Sequence, residues 1–71
     1  GVYVYFRYTN AESIMVVTNN TTQEKTLALE RFKERISGYQ LGKEVVSEKT
    51  FNLNQSITIP ANTTYIIELK K

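Results

Sequence analysis

The stretch Val2 to Thr18 constrains this chain more than any other. It reads Val-Tyr-Val-Tyr-Phe-Arg-Tyr, breaks at Thr9-Asn10-Ala11-Glu12, and resumes as Ser-Ile-Met-Val-Val-Thr. Two runs rich in β-branched and aromatic residues, separated by turn-type residues, predict an antiparallel hairpin. Side chains alternate along a strand, so Val2, Val4 and Phe6 share one face while Tyr3 and Tyr5 share the other. In the second run Ile14 and Val16 oppose Met15 and Val17. Both faces of both strands are therefore apolar. A sheet in a small domain commonly buries one face and leaves the other polar. Here two sides need cover, and the expectation is that one of them docks onto another surface.

The rest of the chain is short. Its 71 residues make one domain, near the lower limit for folding without metals or disulfides. Cysteine is absent, which rules out a disulfide framework and thiolate metal sites. No apolar run approaches the roughly 20 residues that cross a bilayer, so no membrane partner is expected. There is no initiator Met and no signal-peptide pattern, and the chain opens almost at once inside a strand, as a piece of a longer protein would.

His and Asp are also missing, and every acidic side chain is Glu. Ser-His-Asp and Cys-His constellations and the usual zinc ligand sets are thus excluded. The net charge of +2 is too small to imply a polyanion, so no nucleic-acid partner is expected. Arg31, Lys33 and Arg35 alternate with Glu30 and Glu34, the composition of a solvated helix face. Lys70 and Lys71 read as a frayed polar end.

Further along, Lys25 to Leu29 alternates as a third strand, with Leu27 and Leu29 on one face. The period then changes. Leu29, Phe32 and Ile36 are spaced i, i+3, i+7, and Gly38 follows as a C′ residue, predicting a short helix over 30–37. Phe32 and Ile36 would plug one end of a sheet. Tyr39 to Gly42 reads as a loop and Glu44 to Ser47 as a fourth strand. Thr50 to Leu53, Ile57 to Ile59 and Thr64 to Leu69 complete the set, the last with Tyr65, Ile67 and Leu69 inward. Pro60-Ala61-Asn62 turns the chain, because Pro lacks the N–H that a continuing strand donates. About six or seven strands with one short helix predict an all-β, antiparallel, Greek-key-like β-sandwich. A small closed barrel is the alternative.

The ordered motifs Gly-Val-Tyr-Val-Tyr-Phe-Arg, Ile-Met-Val-Val-Thr-Asn, Leu-Ala-Leu-Glu-Arg-Phe and Gly-Lys-Glu-Val-Val-Ser, closing with Ile-Pro-Ala and Tyr-Ile-Ile-Glu-Leu, carry a resemblance. The chain resembles the C-terminal β-sandwich domain of α-amylase-family glycoside hydrolases of the cyclomaltodextrinase and neopullulanase type, particularly those of Bacteroides-like starch-utilisation systems. One departure stands out: Ser47-Glu48-Lys49 occupies a turn where such domains often carry Gly, so a wider turn is expected.

The resemblance implies residues 1–71 as a single accessory domain of a longer enzyme. An upstream (β/α)8 barrel of the same chain would hydrolyse α-1,4-glucosidic bonds in maltodextrin, cyclomaltodextrin, pullulan or starch, and this domain would stabilise it. No catalytic, cofactor-binding or metal-binding residue is carried over. Any calcium of the parent enzyme would bind elsewhere. The Bacteroides-like branch further implies a periplasmic or otherwise exported parent.

Candidate site residues follow from the two apolar faces. Tyr3, Tyr5 and Arg7 mark the expected docking face, Arg7 as an anchor to a carboxylate or carbonyl. The alternative function is a carbohydrate-binding module contacting maltooligosaccharides, for which Tyr39, in a loop beside Gly38, is the candidate sugar contact. Against it, a sandwich uses Tyr as an amphipathic filler with its hydroxyl at the edge. Glu30 and Glu34, and Glu44 and Glu48, are spaced as paired carboxylates but read as solvated. Asn19, Asn20, Asn54 and Asn62 each open an Asn-x-Ser/Thr triplet, in turns where those residue types are favoured for backbone reasons.

Overall fold

The computed structural model describes residues 1–10 and 12–70. The predicted hairpin forms from β1 (Val2–Tyr8) and β2 (Ser13–Asn19), paired antiparallel with Val4 opposite Val17 and Phe6 opposite Met15. The chain then crosses to a second layer as β3 (Lys25–Leu27). A 3-10 turn at Leu29–Phe32 runs into one turn of α-helix, α1 (Lys33–Ile36). Then come β4 (Leu41–Glu44), β5 (Thr50–Asn52), β6 (Ile57–Ile59) and β7 (Thr63–Lys70).

Five strands form one antiparallel sheet in the order β1-β2-β7-β4-β5, and β3 pairs with β6 in a second. No strand pairing joins the two sheets among the described residues, so the fold is a sandwich and not the closed barrel. The chain leaves β2 for the small sheet and returns through β6 to set β7 beside β2, a Greek-key path.

Between the layers lies the core. Met15 and Val17 from β2 sit directly opposite Ile67 and Tyr65 of β7. Leu27, Ile57 and Ile59 meet them from the small sheet, and Leu29, Ile36 and Leu53 close the ends. Met15, Val17, Ile59 and Ile67 are wholly buried. The helical segment does the plugging its spacing predicts. Ile36 enters the core, while Phe32 packs at its margin with its ring centroid 5.9 Å from that of Phe6. Gly38, at φ 88°, ends the helix where a Cβ would be strained, and Tyr39 N–H bonds back to the Ile36 carbonyl.

The fourth strand lies earlier than predicted. It covers Leu41–Glu44, and Val45–Ser47 form the turn that follows. Gly42, which suggested a loop, is instead a close approach: a Cβ there would lie 2.5 Å from Ile67 Cγ2. The valines mislead because pairing stops after the first of them: the Val45 N–H still reaches the Ile66 carbonyl, but the N–H groups of Val46 and Ser47 turn back to the Glu44 carboxylate. Glu48 N–H closes this turn on the Glu44 carbonyl, with Glu48 itself at φ 62° where Gly is usual. Lys70 is likewise no frayed end. It terminates β7 opposite Leu41, its carbonyl accepts the Gln40 N–H, and its ammonium pairs with Glu68. Ala11 and Lys71 fall outside the described residues.

Candidate functional site

The small sheet and α1 cover the inner face of the large sheet. The described chain places no layer on the outer face, and there register assembles side chains that sequence spacing alone leaves apart. Tyr5 pairs with Val16, and Val16 with Ile66. Val45 joins beside Ile66 through its N–H to the Ile66 carbonyl, 2.8 Å. These four form an apolar row across four adjacent strands or strand extensions, about 15 Å long at the usual strand spacing. Tyr5, Val45 and Ile66 are 54%, 52% and 39% exposed, whereas Val16 is nearly covered by its neighbours.

Polar rows flank this one. On one side Tyr3, 61% exposed, lines up with Thr18 and Thr64, whose hydroxyls lie 3.2 Å apart. On the other, Arg7, Ile14, Glu68 and Lys43 follow each other across four strands. The Lys70 ammonium beside Glu68 holds that carboxyl below the usual carboxylate range, with a further contribution from Lys43. Arg7 makes no ion pair among the described residues. Tyr3, Tyr5 and Arg7 thus share one exposed face, and Ile66, Val16 and Val45 complete it. Alternation along the last strand directs Ile66 outward; the sequence carries no signal that it lands beside Val16.

The turn at the far end of the apolar row rests on Glu44, which is 2% exposed. Its Oε1 accepts the N–H groups of Val46 and Ser47 at 3.0 and 2.7 Å, and its Oε2 accepts the Ile66 N–H at 2.9 Å. Burial pushes this carboxyl up, but the backbone donors of Ser47, Ile66 and Val46 and the Ser47 hydroxyl together outweigh it and hold the pKa below the ordinary value. Glu44 is therefore a buried structural acceptor, not the solvated carboxylate its spacing from Glu48 suggests. The expectation for Glu30 and Glu34 differs from this, since both lie exposed.

Tyr39 is half-buried, packs against the core, and places its hydroxyl 2.7 Å from Ser13 Oγ. It separates two open grooves. One, of about 440 Å³, is lined mainly by Thr9, Glu12, Ser13 and Lys70; the other, of about 390 Å³, by Lys33, Ile36, Leu53 and Asn54. The remaining tyrosines lie elsewhere, with Tyr65 in the core and Tyr8 stacked on Phe6 at 6.3 Å between ring centroids. No flat row of exposed rings surrounds Tyr39.

Asn19 is wholly buried. Its amide N–H groups are shared among the carbonyls of Gln23, Ile59 and Pro60, and its Oδ1 accepts from the Thr21 N–H and hydroxyl. It ties the end of β2 to the loop and to β6, so its Asn-x-Thr triplet serves packing. No group of three or more metal-ligating side chains comes together among the described residues.

Compared with known families, residues 1–68 match the model described as the cyclo-malto-dextrinase C-terminal domain. A search of curated proteins finds no match.

Proposed function

The chain belongs to the cyclomaltodextrinase C-terminal domain family, whose parent enzymes are α-amylase-family glycosidases, and on that premise we propose that it is a non-catalytic structural domain. Its role is to stabilise an upstream (β/α)8 catalytic barrel that hydrolyses α-1,4-glucosidic bonds in maltodextrin, cyclomaltodextrin, pullulan or starch. The outer face of the five-stranded sheet is the surface that packs on that barrel.

The apolar row of Tyr5, Val16, Ile66 and Val45 is the observation that carries this reading. The inner face packs against the domain's own second layer, whereas the outer row has no such layer within the described chain. Fully burying one such side chain contributes about 1.5–3 kcal/mol relative to leaving it exposed. Tyr3, Tyr5, Val45 and Ile66 are each about half exposed already, so their burial together contributes about 3–6 kcal/mol.

The test compares Tyr5→Thr with Ile66→Thr, both β-branched replacements that suit a strand. In the parent enzyme both variants should melt lower and lose activity sooner on heating, while the 71-residue chain alone should change little. Equal melting of wild-type and variant parent enzymes would refute docking through this face.

A further inference from the structure

β1 forms one edge of the large sheet. Its pairing with β2 decides which of its backbone groups are engaged. The Thr9 N–H bonds the Glu12 carbonyl at 2.8 Å, and the Asn20 N–H bonds the Gly1 carbonyl at 3.2 Å, both in register with the ladder. Hydrogen-bonded pairs alternate along an antiparallel ladder. Tyr3, Tyr5 and Arg7 therefore direct their N–H and C=O groups at β2. Val2, Val4, Phe6 and Tyr8 direct theirs out of the sheet edge.

Natural edge strands are commonly protected by Pro, Lys, a bulge or short length. β1 has seven residues, with no Pro, no Lys and no extra residue in its register. The opposite edge, β5, has three. Val2, Val4 and Phe6 are only half-buried at this margin of the core. An open groove of about 370 Å³, lined by Val4, Tyr5, Phe6, Phe32 and Arg35, lies at the same place.

We propose that β1 pairs antiparallel with β1 of a second copy of this chain, about a twofold axis at Tyr5, and joins the two large sheets into one. The strand is self-complementary in that register. Val2 meets the partner's Tyr8 and Val4 the partner's Phe6, so every open-edge donor faces an open-edge acceptor. Tyr5 meets its own copy in the close, non-hydrogen-bonded type of pair, where aromatic contacts are favourable. Arg7, the one charge on the strand, falls opposite the partner's Tyr3 and can lie over its ring, instead of facing another Arg7. An axis at Val4 or Phe6 would leave strand ends unpaired. An axis between residues would set open groups against those already bonded to β2. Side chains of the partner strand would fill the groove beside Phe32. This association goes beyond the docking role, since it uses the open backbone groups of the edge, with Tyr3, Tyr5 and Arg7 meeting their counterparts along the margin of the outer face.

Sedimentation of the 71-residue chain, from roughly 10 µM to 1 mM, is the test. The weight-average mass should rise with concentration toward that of a dimer. Amide exchange at Val4, Phe6 and Tyr8 should slow in parallel. Val4→Pro removes an outward N–H and leaves the β2 ladder intact, while Tyr5→Glu sets two like charges on the axis. Each should raise the dimer dissociation constant on the order of tenfold or more. If either variant fails to fold, the other decides, and wild-type amide exchange decides if both fail. A monomer at every concentration overturns the proposal, as does a dimer that survives both substitutions. So does concentration-independent protection of the Val4 and Phe6 amides, which would put a strand of another origin on this edge.

Discussion

Replacing Glu44 by Ala should cost more than any other single change of a charged residue in this fold. The carboxylate serves three backbone N–H groups at 2.7–3.0 Å from a position 2% exposed. Hydrogen bonds to charged groups contribute about 1.5–3 kcal/mol each. Val46 and Ser47 lie in an exposed turn, whereas the Ile66 N–H points between strands toward β4, so the full penalty applies mainly to the Ile66 N–H. The expected loss is about 2–4 kcal/mol. A chain of this size has about 4–10 kcal/mol in total, so that loss is a large share. It corresponds to a fall in melting temperature of about 10–25 °C.

The loss should also depend on pH in a definite direction. The folded-state pKa lies below the ordinary value, so ionised Glu44 contributes stability that is fully present above the unfolded pKa, roughly 4.3. That contribution disappears as pH falls through the folded value. Urea melts of wild type and Glu44→Ala, followed by circular dichroism from pH 7 to 3, should show a gap that narrows below roughly pH 4.3. A gap under about 0.5 kcal/mol at pH 7, or one that widens on acidification, would refute the reasoning.

Other expectations follow from the same contacts. Gly42→Ala forces a Cβ against buried Ile67 and should destabilise by about 1–3 kcal/mol in a urea melt, although Gly in a strand is ordinarily a weak choice. Asn19→Ala deprives the carbonyls of Gln23, Ile59 and Pro60 of a donor and should lose about 2–4 kcal/mol, read by the same melt. Calorimetric titration of the isolated chain with maltoheptaose and β-cyclodextrin should give no saturable heat at millimolar ligand, because Tyr39 is half-buried with its hydroxyl beside Ser13. Saturable binding lost in Tyr39→Ala would instead place sugar at that residue.

Much of the architecture is legible in the residues themselves. Alternation in Thr64–Leu69 locates that strand and its inward face, since period-2 patterning survives where one side is buried. In Val2–Thr18 residue types locate both strands, but with both faces apolar the inward side of Ser13–Asn19 emerges only from packing. The i, i+3, i+7 spacing of Leu29, Phe32 and Ile36 finds the plug. The failure at Glu44–Ser47 has a specific origin. Val45 and Val46 have high strand propensity, but the Val46 and Ser47 N–H groups bond the buried Glu44 carboxylate and turn the chain, and nothing local signals that Glu44 is buried. Gly42 misleads for the converse reason, since a close approach and a loop use the same residue. The proposed docking face is half legible: alternation groups Tyr3, Tyr5 and Arg7, but only register brings Ile66 and Val45 beside them.

The central claim is that the outer face of the sheet is covered in the parent enzyme. Hydroxyl-radical labelling read by mass spectrometry can compare Tyr3, Tyr5 and Ile66 in the parent and in the isolated chain. The account predicts that all three label readily in the isolated chain and are protected in the parent, while exposed Val46, at the turn tip, is the residue against which that protection is judged. Equal labelling of Tyr3, Tyr5 and Ile66 in both would contradict it.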